Sequence, residues 1–317
     1  MLIAKSDKTP VSLADFAAQA LLVAAIKHSF PYDKIVGEED TSLLRTKPEL
    51  VLKIWDLVDE THLDDPDAEA LLRPPPPPYR GPEGRVWMID PVDGTKGFLN
   101  QGQYVVCLVF LVDGHEKVAA FGCPHVTLDS GRISESDTFT GGPGYLVSAV
   151  RGEGAQIRPL SEGKLLEPKP LGQRDAVNDL GQLRFCENTK TTSPQFANRH
   201  KIAAELGAPW DPIHIYSTQL RYISLALGFS DVVLRTPLPN NAPAHSWDHA
   251  GGMMVFEETG GKVTDLNGKA IVLTAGRDLT ENFGLIAALA TIHSRVLEAV
   301  RAGFVSSGYP EYSGIIA

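Results

Sequence analysis

The stretch W-M-I-D-P-V-D-G-T-K-G-F, Trp87 to Phe98, decides how the rest of the chain is read. An apolar strand ends at Asp90. Pro91 then fixes φ and removes an N–H, which forces a turn and leaves the Val92 carbonyl free of ladder pairing. Asp93 can fold back toward the same point. Gly94 permits a close backbone approach, and Thr95 can open a helix whose first amides face an anion. Two carboxylates, a carbonyl and a hydroxyl around one turn make a hard-oxygen cation site with room for a phosphate beside it. Asp-Pro and Asp-Gly are also ordinary turn dipeptides, so the stretch alone fits a plain turn as well.

The 317 residues are enough for one large core or two coupled ones, and two subdomains sharing an interface are expected. An apolar fraction of 43% with 21% charged residues is that of a folded globular chain. The net charge of -10 and the absence of any Lys/Arg block exclude a nucleic-acid polymer as partner. An anionic small substrate would need metal ions or a local basic pocket. Cys107, Cys123 and Cys186 are an odd number, widely spaced, and read as buried thiols in a reducing compartment. The longest apolar run, Val105 to Val112, is too short to cross a bilayer, and the start M-L-I-A-K-S-D-K-T-P lacks a signal-peptide core. No membrane association is expected, and the location expected is the cytoplasm, with the nucleus reached by diffusion.

Ser12 and Asp15 form a capping box that opens a helix running to Phe30, where Pro31 ends it. A strand over Lys34 to Val36 delivers the acidic turn G-E-E-D, Gly37 to Asp40, and a second helix is expected over Leu43 to Glu60. Arg73 and Pro74 to Pro78 read as a solvated polyproline II loop. Arg85 to Asp90, Tyr104 to Asp113 and Lys117 to Cys123 read as strands, the last two paired antiparallel around Gly114. Beyond Gly181 strands and helices alternate. Strands are expected at Leu183 to Cys186, Asp231 to Leu234 and Gly284 to Ala288; helices at Gln195 to Leu206, Gln219 to Leu227, His249 to Glu258 and Ile292 to Ala302.

Two further acidic clusters matter. Glu38 and Glu39 stand at a strand end, where they also suit a solvated turn; Asp248, in S-W-D-H-A-G-G, falls in the first turn of a helix, where it also suits an N-cap. The order Gly37-Glu38-Glu39, Asp90-Pro91-Val92-Asp93-Gly94-Thr95, Trp247-Asp248 resembles the lithium-sensitive, magnesium-dependent phosphomonoesterase superfamily, over nearly the whole chain. Its members include inositol monophosphatases, fructose-1,6-bisphosphatases and 3'(2'),5'-bisphosphate nucleotidases. Lys5 to Gln19, Lys96-Gly97-Phe98, Ala149 to Ala155, Leu225 to Arg235 and Trp247 to Asp265 are most similar to the fungal and plant bisphosphate nucleotidases.

The resemblance implies two or three Mg²⁺ ions. Glu38, Asp90 and the Val92 carbonyl would hold the first; Asp90, Asp93 and Asp248 the second; Asp7 and Thr95 would orient the attacking water. Gly94, Thr95, Lys190, Thr218, Arg221, Arg235 and Asp248 match the substrate-binding positions. Arg221 stands where the family has a lysine, and Lys190 where nucleotidases have a histidine, so Lys190 also suits a solvated loop charge. Asp7 likewise suits a solvated terminal residue. His214, His245 and His249 match no zinc spacing and are expected at the surface or in caps.

The expected fold is α+β, a layered αβαβα sandwich. Residues 1-180 would form an N-terminal metal-binding subdomain and 181-317 a C-terminal substrate-binding subdomain, the whole a monomer. The implied activity is removal of the 3'-phosphate of adenosine 3',5'-bisphosphate, with 3'-phosphoadenylyl sulfate as a further substrate, inhibition by Li⁺, and a place in sulfur assimilation and salt tolerance. An inositol phosphate phosphatase on the same scaffold and a catalytically silent nucleotide-binding regulator are the rival readings. Family members usually carry a further helix before the segment matching Lys5; if the natural chain starts where this sequence does, part of one helical layer is missing, and a shortened sequence would look the same.

Overall fold

The apolar run that leads into Asp90 is the second strand of a seven-stranded sheet. The computed structural model describes residues 2–4, 10–41, 44, 47–59, 83–129, 131–135, 142–188, 194–236 and 244–305. Asp7, Lys190 and the run Pro74 to Pro78 lie outside them. Strands β1 (Leu2–Ala4) and β2 (Pro10–Ser12) pair with each other and lead into helix α1 (Leu13–Ser29). The Ser12 hydroxyl accepts from the Ala14 N–H, and the Asp15 carboxylate accepts from the Ser12 N–H at 2.9 Å, closing the expected capping box. Within the helix expected over Leu43 to Glu60, Leu44 is helical, Lys47 is not, and α2 runs Pro48–Asp59. Pro48 is tolerated at a first helical position, and it disfavours helical backbone at the residue before it.

The large sheet runs β3 (Lys34–Gly37), β4 (Arg85–Asp93), β5 (Val105–Val112), β6 (His115–Cys123), β7 (Tyr145–Val150), β8 (Gly154–Pro159) and β9 (Lys169–Leu171) in order. Only β3 and β4 are parallel; every other pair is antiparallel. Helices α1 and α2 bury Phe16, Leu50, Ile54 and Val58 between them, and Ile26 of α1 packs on Ile35 and Ile89 of the sheet.

A second sheet has the order β11-β10-β12-β14-β13: β10 (Phe185–Glu187), β11 (Ile213–His214), β12 (Val232–Arg235), β13 (Gly261–Thr264) and β14 (Leu285–Leu289). β10 is parallel to both β11 and β12, and it is the point at which the chain turns from one side of the sheet to the other. Ligands of such sheets bind outside the carboxyl ends of the strands at that point. Glu187, at the end of β10, and Arg235, at the end of β12, both lie there.

Helices α5 (Thr218–Leu227) and α6 (Ala250–Glu258) pack together between the two sheets. Helices α4 (Pro194–Glu205) and α7 (His293–Val305) pack on each other, with α7 against β14 of the second sheet. The layers are therefore α1/α2, seven strands, α5/α6, five strands, α4/α7, the αβαβα arrangement expected. One contiguous set of buried side chains, from Val86 and Phe121 to Phe256 and Ile286, joins both sheets through the middle helices. All three cysteines are buried thiols, as expected.

The short helix α3 (Thr95–Leu99) opens at Thr95 as expected, whereas the strands β1, β2, β7 to β9, β11 and β13 had no counterpart in the sequence reading. β9 and β11 have 3 and 2 residues, too few to display a period. Among the described residues no helix is long and apolar enough to cross a membrane.

Small residues set the spacing of the middle layer. A Cβ on Gly252 would sit 2.5 Å from Gln219 Oε1 and 2.6 Å from the Tyr222 ring, and one on Gly251 would meet Phe121 at 2.8 Å. Gly252→Ala is expected to lower stability by about 1–3 kcal/mol through overpacking, despite alanine's better helix propensity. Equilibrium urea unfolding measures it; an unchanged midpoint would mean that Gln219 and Tyr222 move aside without cost.

Candidate metal and phosphate site

The carboxylates of Asp90 and Asp93 meet because of a one-residue bulge. β4 does not end at Asp90: Asp90 pairs with Cys107 and Asp93 with Val105, so three steps on β4 face two on β5. In a regular strand residues three apart point to opposite faces. The extra residue restores them to one face, and Pro91, which has no N–H to place in the ladder, suits the bulge. Gly94 follows with φ +91°, a left-handed conformation, and its missing side chain lets Ser217 approach; a Cβ there would lie 3.0 Å from Ser217 Cβ. The Val92 carbonyl accepts from the Thr95 hydroxyl at 3.1 Å.

Asp248 comes from the other sheet's side of the molecule. It closes a single 3₁₀ turn, Ser246–Asp248, ahead of α6 rather than lying in the helix as expected. Gln219 fixes that turn: its side chain donates to the Trp247 carbonyl at 2.5 Å and accepts from the Gly252 N–H at 2.8 Å. The Gln219 N–H meanwhile donates to Asp93 Oδ2 at 2.5 Å, alongside the Thr218 N–H to Oδ1 at 3.1 Å and the Ser217 hydroxyl to Oδ2 at 2.6 Å. Asp93 thus caps α5, and the positive end of that helix holds it.

Oxygen atoms of Asp90, Asp93 and Asp248 all lie within 4.8 Å of one another. Burial, with Glu38, Asp93 and Asp248 beside it, pushes the Asp90 carboxyl well above the usual carboxylate range. Asp93 rises to about 6, again through burial, opposed by its hydrogen bonds from Ser217, Gln219 and Thr218. Asp248 is raised by burial and by Asp93 and Glu38, against the pull of Arg235 and Arg221. Both Asp90 oxygens are buried with no hydrogen-bond donor among the described residues. A buried carboxylate without donors, among like charges, fits a hard divalent cation.

Glu38 reaches the cluster from the G-E-E turn, which Gln19 of α1 holds by two bonds to the Glu39 backbone, 2.9 Å to the carbonyl and 3.0 Å from the N–H. Thr95 Oγ1 also lies 3.4 Å from Asp15 Oδ1, so the capping-box carboxylate touches the site. Sequence reasoning gave Asp15 only the cap. Arg221 is buried beside the cluster, its Nη2 donating to Thr218 Oγ1 at 2.7 Å. Arg199 binds the buried Glu187 carboxylate and donates to Thr236 Oγ1 at 3.2 Å. Burial, then Arg221 and Arg235, pull its pKa down to about 10. Three guanidinium groups therefore gather at the carboxyl ends of β10 and β12. Arg199 carried no motif by which the sequence could mark it.

His249 departs from expectation. It is buried, its Nδ1 lies 2.8 Å from the Tyr222 hydroxyl, and it caps nothing with its side chain. His214 and His245 are exposed enough to meet water and bond to the Asn188 carbonyl and Asp278.

The sequence pattern of the inositol monophosphatase family matches residues 3–303. The chain belongs to that family. It is 38% identical to the 3'(2'),5'-bisphosphate nucleotidase of Emericella nidulans, over 94% of this chain and 90% of the relative. The enzyme of the same name from Schizosaccharomyces pombe is 36% identical over 99% and 89%, and that of rice 32% over 94% and 85%. Among solved structures, the Thermotoga maritima IMPase superposes with a TM-score of 0.62 at 18% identity, covering 97% of this chain and 90% of that one. A Staphylococcus aureus inositol monophosphatase gives 0.57 at 19%, covering 92% and 84%. These structures share the fold, and the family is metal-dependent.

The raised carboxyls make a testable demand on the metal-free family member. Unfolded Asp titrates near 3.8, so between there and the Asp93 value of about 6 the folded state holds extra protons, and its stability falls as pH rises through that window. Asp90→Asn, which removes one buried charge, is expected to raise the thermal midpoint in EDTA, more at pH 8 than at pH 5. An equal or lower midpoint at pH 8 would contradict the reading.

Proposed function

We propose that the chain is a 3'(2'),5'-bisphosphate nucleotidase that removes the 3'-phosphate of adenosine 3',5'-bisphosphate to give AMP and phosphate. The observation that carries this is the convergence of three carboxylates, one of them without donors, beside a guanidinium cluster, in a family member whose curated fungal and plant relatives bear that name. 3'-Phosphoadenylyl sulfate, with the same 3'-phosphate, is a further substrate in this reading.

Glu38, Asp90 and the Val92 carbonyl would hold one Mg²⁺, and Asp90, Asp93 and Asp248 a second. Bound there, the cations supply charge neutralisation for the phosphoryl oxygens and lower the proton affinity of water. The chain's own groups do the positioning. Thr95 Oγ1, 3.1 Å from the Val92 carbonyl and 3.4 Å from Asp15 Oδ1, has a lone pair left to accept a hydrogen bond from the attacking water and orient it, with Asp7 as its companion. The α5 N-terminus keeps Asp93 aimed by three hydrogen bonds, so no side chain needs to reorganise as charge moves. The water oxygen forms the new bond to phosphorus as the bond to the 3'-oxygen breaks; a proton from that water ends on the 3'-oxygen through solvent, so AMP leaves with a 3'-hydroxyl and the phosphoryl group as inorganic phosphate. Arg221 and Arg235, with Thr218 and Gly94 lining the approach, hold the phosphate that is not cleaved; a rigid fork suits that task. Lys190 would meet the base. In this reading residues 1-180 form the metal-binding subdomain and 181-317 the substrate-binding subdomain, and the protein acts as a monomer in the cytoplasm and nucleus.

With Mg²⁺ present, hydrolysis of adenosine 3',5'-bisphosphate is expected to exceed that of inositol 1-phosphate and inositol 1,4-bisphosphate, and Asp90→Ala to cost at least about a hundredfold in kcat/KM. A preference for either inositol compound would reassign the substrate, and release no faster than the Asp90→Ala protein would favour a silent regulator. Arg221→Gln should raise KM for the bisphosphate about 10- to 100-fold while moving KM for 3'-AMP far less, because only the former carries the second phosphate. Equal losses on both substrates would place Arg221 elsewhere.

A further inference from the structure

Glu38 and Asp248 are brought from opposite ends of the chain, and one side chain spans the gap between the segments that carry them. Arg277 Nη1 donates to the Gly37 carbonyl at 2.7 Å and Nη2 to the Glu38 carbonyl at 2.9 Å. The same guanidinium lies over the Trp247 ring, 4.4 Å from its centroid, one residue before Asp248. Trp247 also stacks on His245, with centroids 4.6 Å apart and the rings 6° from parallel. His245 in turn bonds Asp278 at 2.6 Å.

The backbone ties the same two strips together. The Ser246 N–H donates to the Arg277 carbonyl at 2.8 Å, the Leu279 N–H to the Ala244 carbonyl at 2.8 Å, and His245 pairs with Asp278 as an antiparallel bridge. The segment around Arg277 is thus fixed to the turn bearing Asp248, while its guanidinium grips the turn bearing Glu38. A planar fork holds two successive carbonyls with its donors at fixed spacing while its face stays on the Trp247 ring, a combination that a point-charge ammonium reproduces less rigidly.

We propose that Arg277 is a positioning residue for the divalent-cation site, locking the Glu38 turn to the Asp248 turn and so presetting the distance between carboxylates carried by two separate turns. It touches neither substrate nor reacting atoms. Residues that orient metal ligands commonly contribute about 10- to 100-fold to metal affinity. The inference rests on the reading of the carboxylates as a Mg²⁺ site, and it concerns metal uptake, which needs no nucleotide.

The test is calorimetric titration of metal-free protein with Mg²⁺, for wild type, Arg277→Met and Arg277→Lys, with circular dichroism and thermal midpoints in EDTA as the check on folding. Arg277→Met is expected to weaken Mg²⁺ binding about 10- to 100-fold and Arg277→Lys by less, with KM for the nucleotide at saturating Mg²⁺ within about twofold of wild type. If Arg277→Met does not fold, Arg277→Lys, which keeps charge and length, decides. A folded Arg277→Lys protein with the wild-type Mg²⁺ isotherm overturns the clamp while leaving the metal site intact. A wild-type protein that takes up no Mg²⁺ overturns the metal reading and the clamp with it. A change in nucleotide KM at saturating Mg²⁺ without a change in Mg²⁺ affinity would instead make Arg277 a substrate contact, against the proposal.

Discussion

Like charges held together out of water are what the rest of this fold must support. Three aspartates within reach of one ion repel one another and lose hydration, and left alone each would neutralise by taking up a proton. The chain opposes this with directed positive ends: the amides at the start of α5 point at Asp93, and Arg221 and Arg235 stand behind Asp248. Asp90, with no donors of its own, carries the largest demand for a cation. The bulge in β4 creates the problem, since without it Asp90 and Asp93 would face opposite sides of the sheet.

Gln219 and Arg277 make the site depend on the packing of both sheets. Gln219 joins Asp93 to the Trp247 turn through one backbone and two side-chain bonds, and Gly252 can approach it only because it lacks a Cβ. A strain in the middle helices would therefore reach the carboxylates. On the other side of the site Gly37, next to Glu38, is confined separately: a Cβ there would lie 2.5 Å from Gln19 Oε1.

Much of this was legible in the sequence because the governing signals are local. Asp90 and Asp93 lie in one contiguous motif, although the strand expected to end at Asp90 continues through a bulge; the capping box spans four residues, and the αβ alternation after Gly181 follows turn punctuation. What was not legible is set by distant partners. Arg277, Arg199 and Glu187 sit in unremarkable contexts, and nothing in R-D-L or N-R-H says that a carbonyl or a carboxylate lies opposite. Asp15 was read as a cap and is one, yet its second oxygen serves Thr95, 80 residues away. His249 looked like a helix-start residue, and only its tertiary contact with Tyr222 buries it. The edge strands β9 and β11 are likewise imposed by their neighbours rather than by their own short sequences.

The central claim is that Glu38, Asp90, Asp93 and Asp248 form one cation site with Asp90 shared. Anomalous diffraction from crystals soaked in Mn²⁺ tests it directly. The account predicts strong peaks beside the Asp90 carboxylate, flanked by Asp93 and Asp248 on one side and by Glu38 and the Val92 carbonyl on the other. Peaks confined to other surfaces, or none near Asp90, would contradict it.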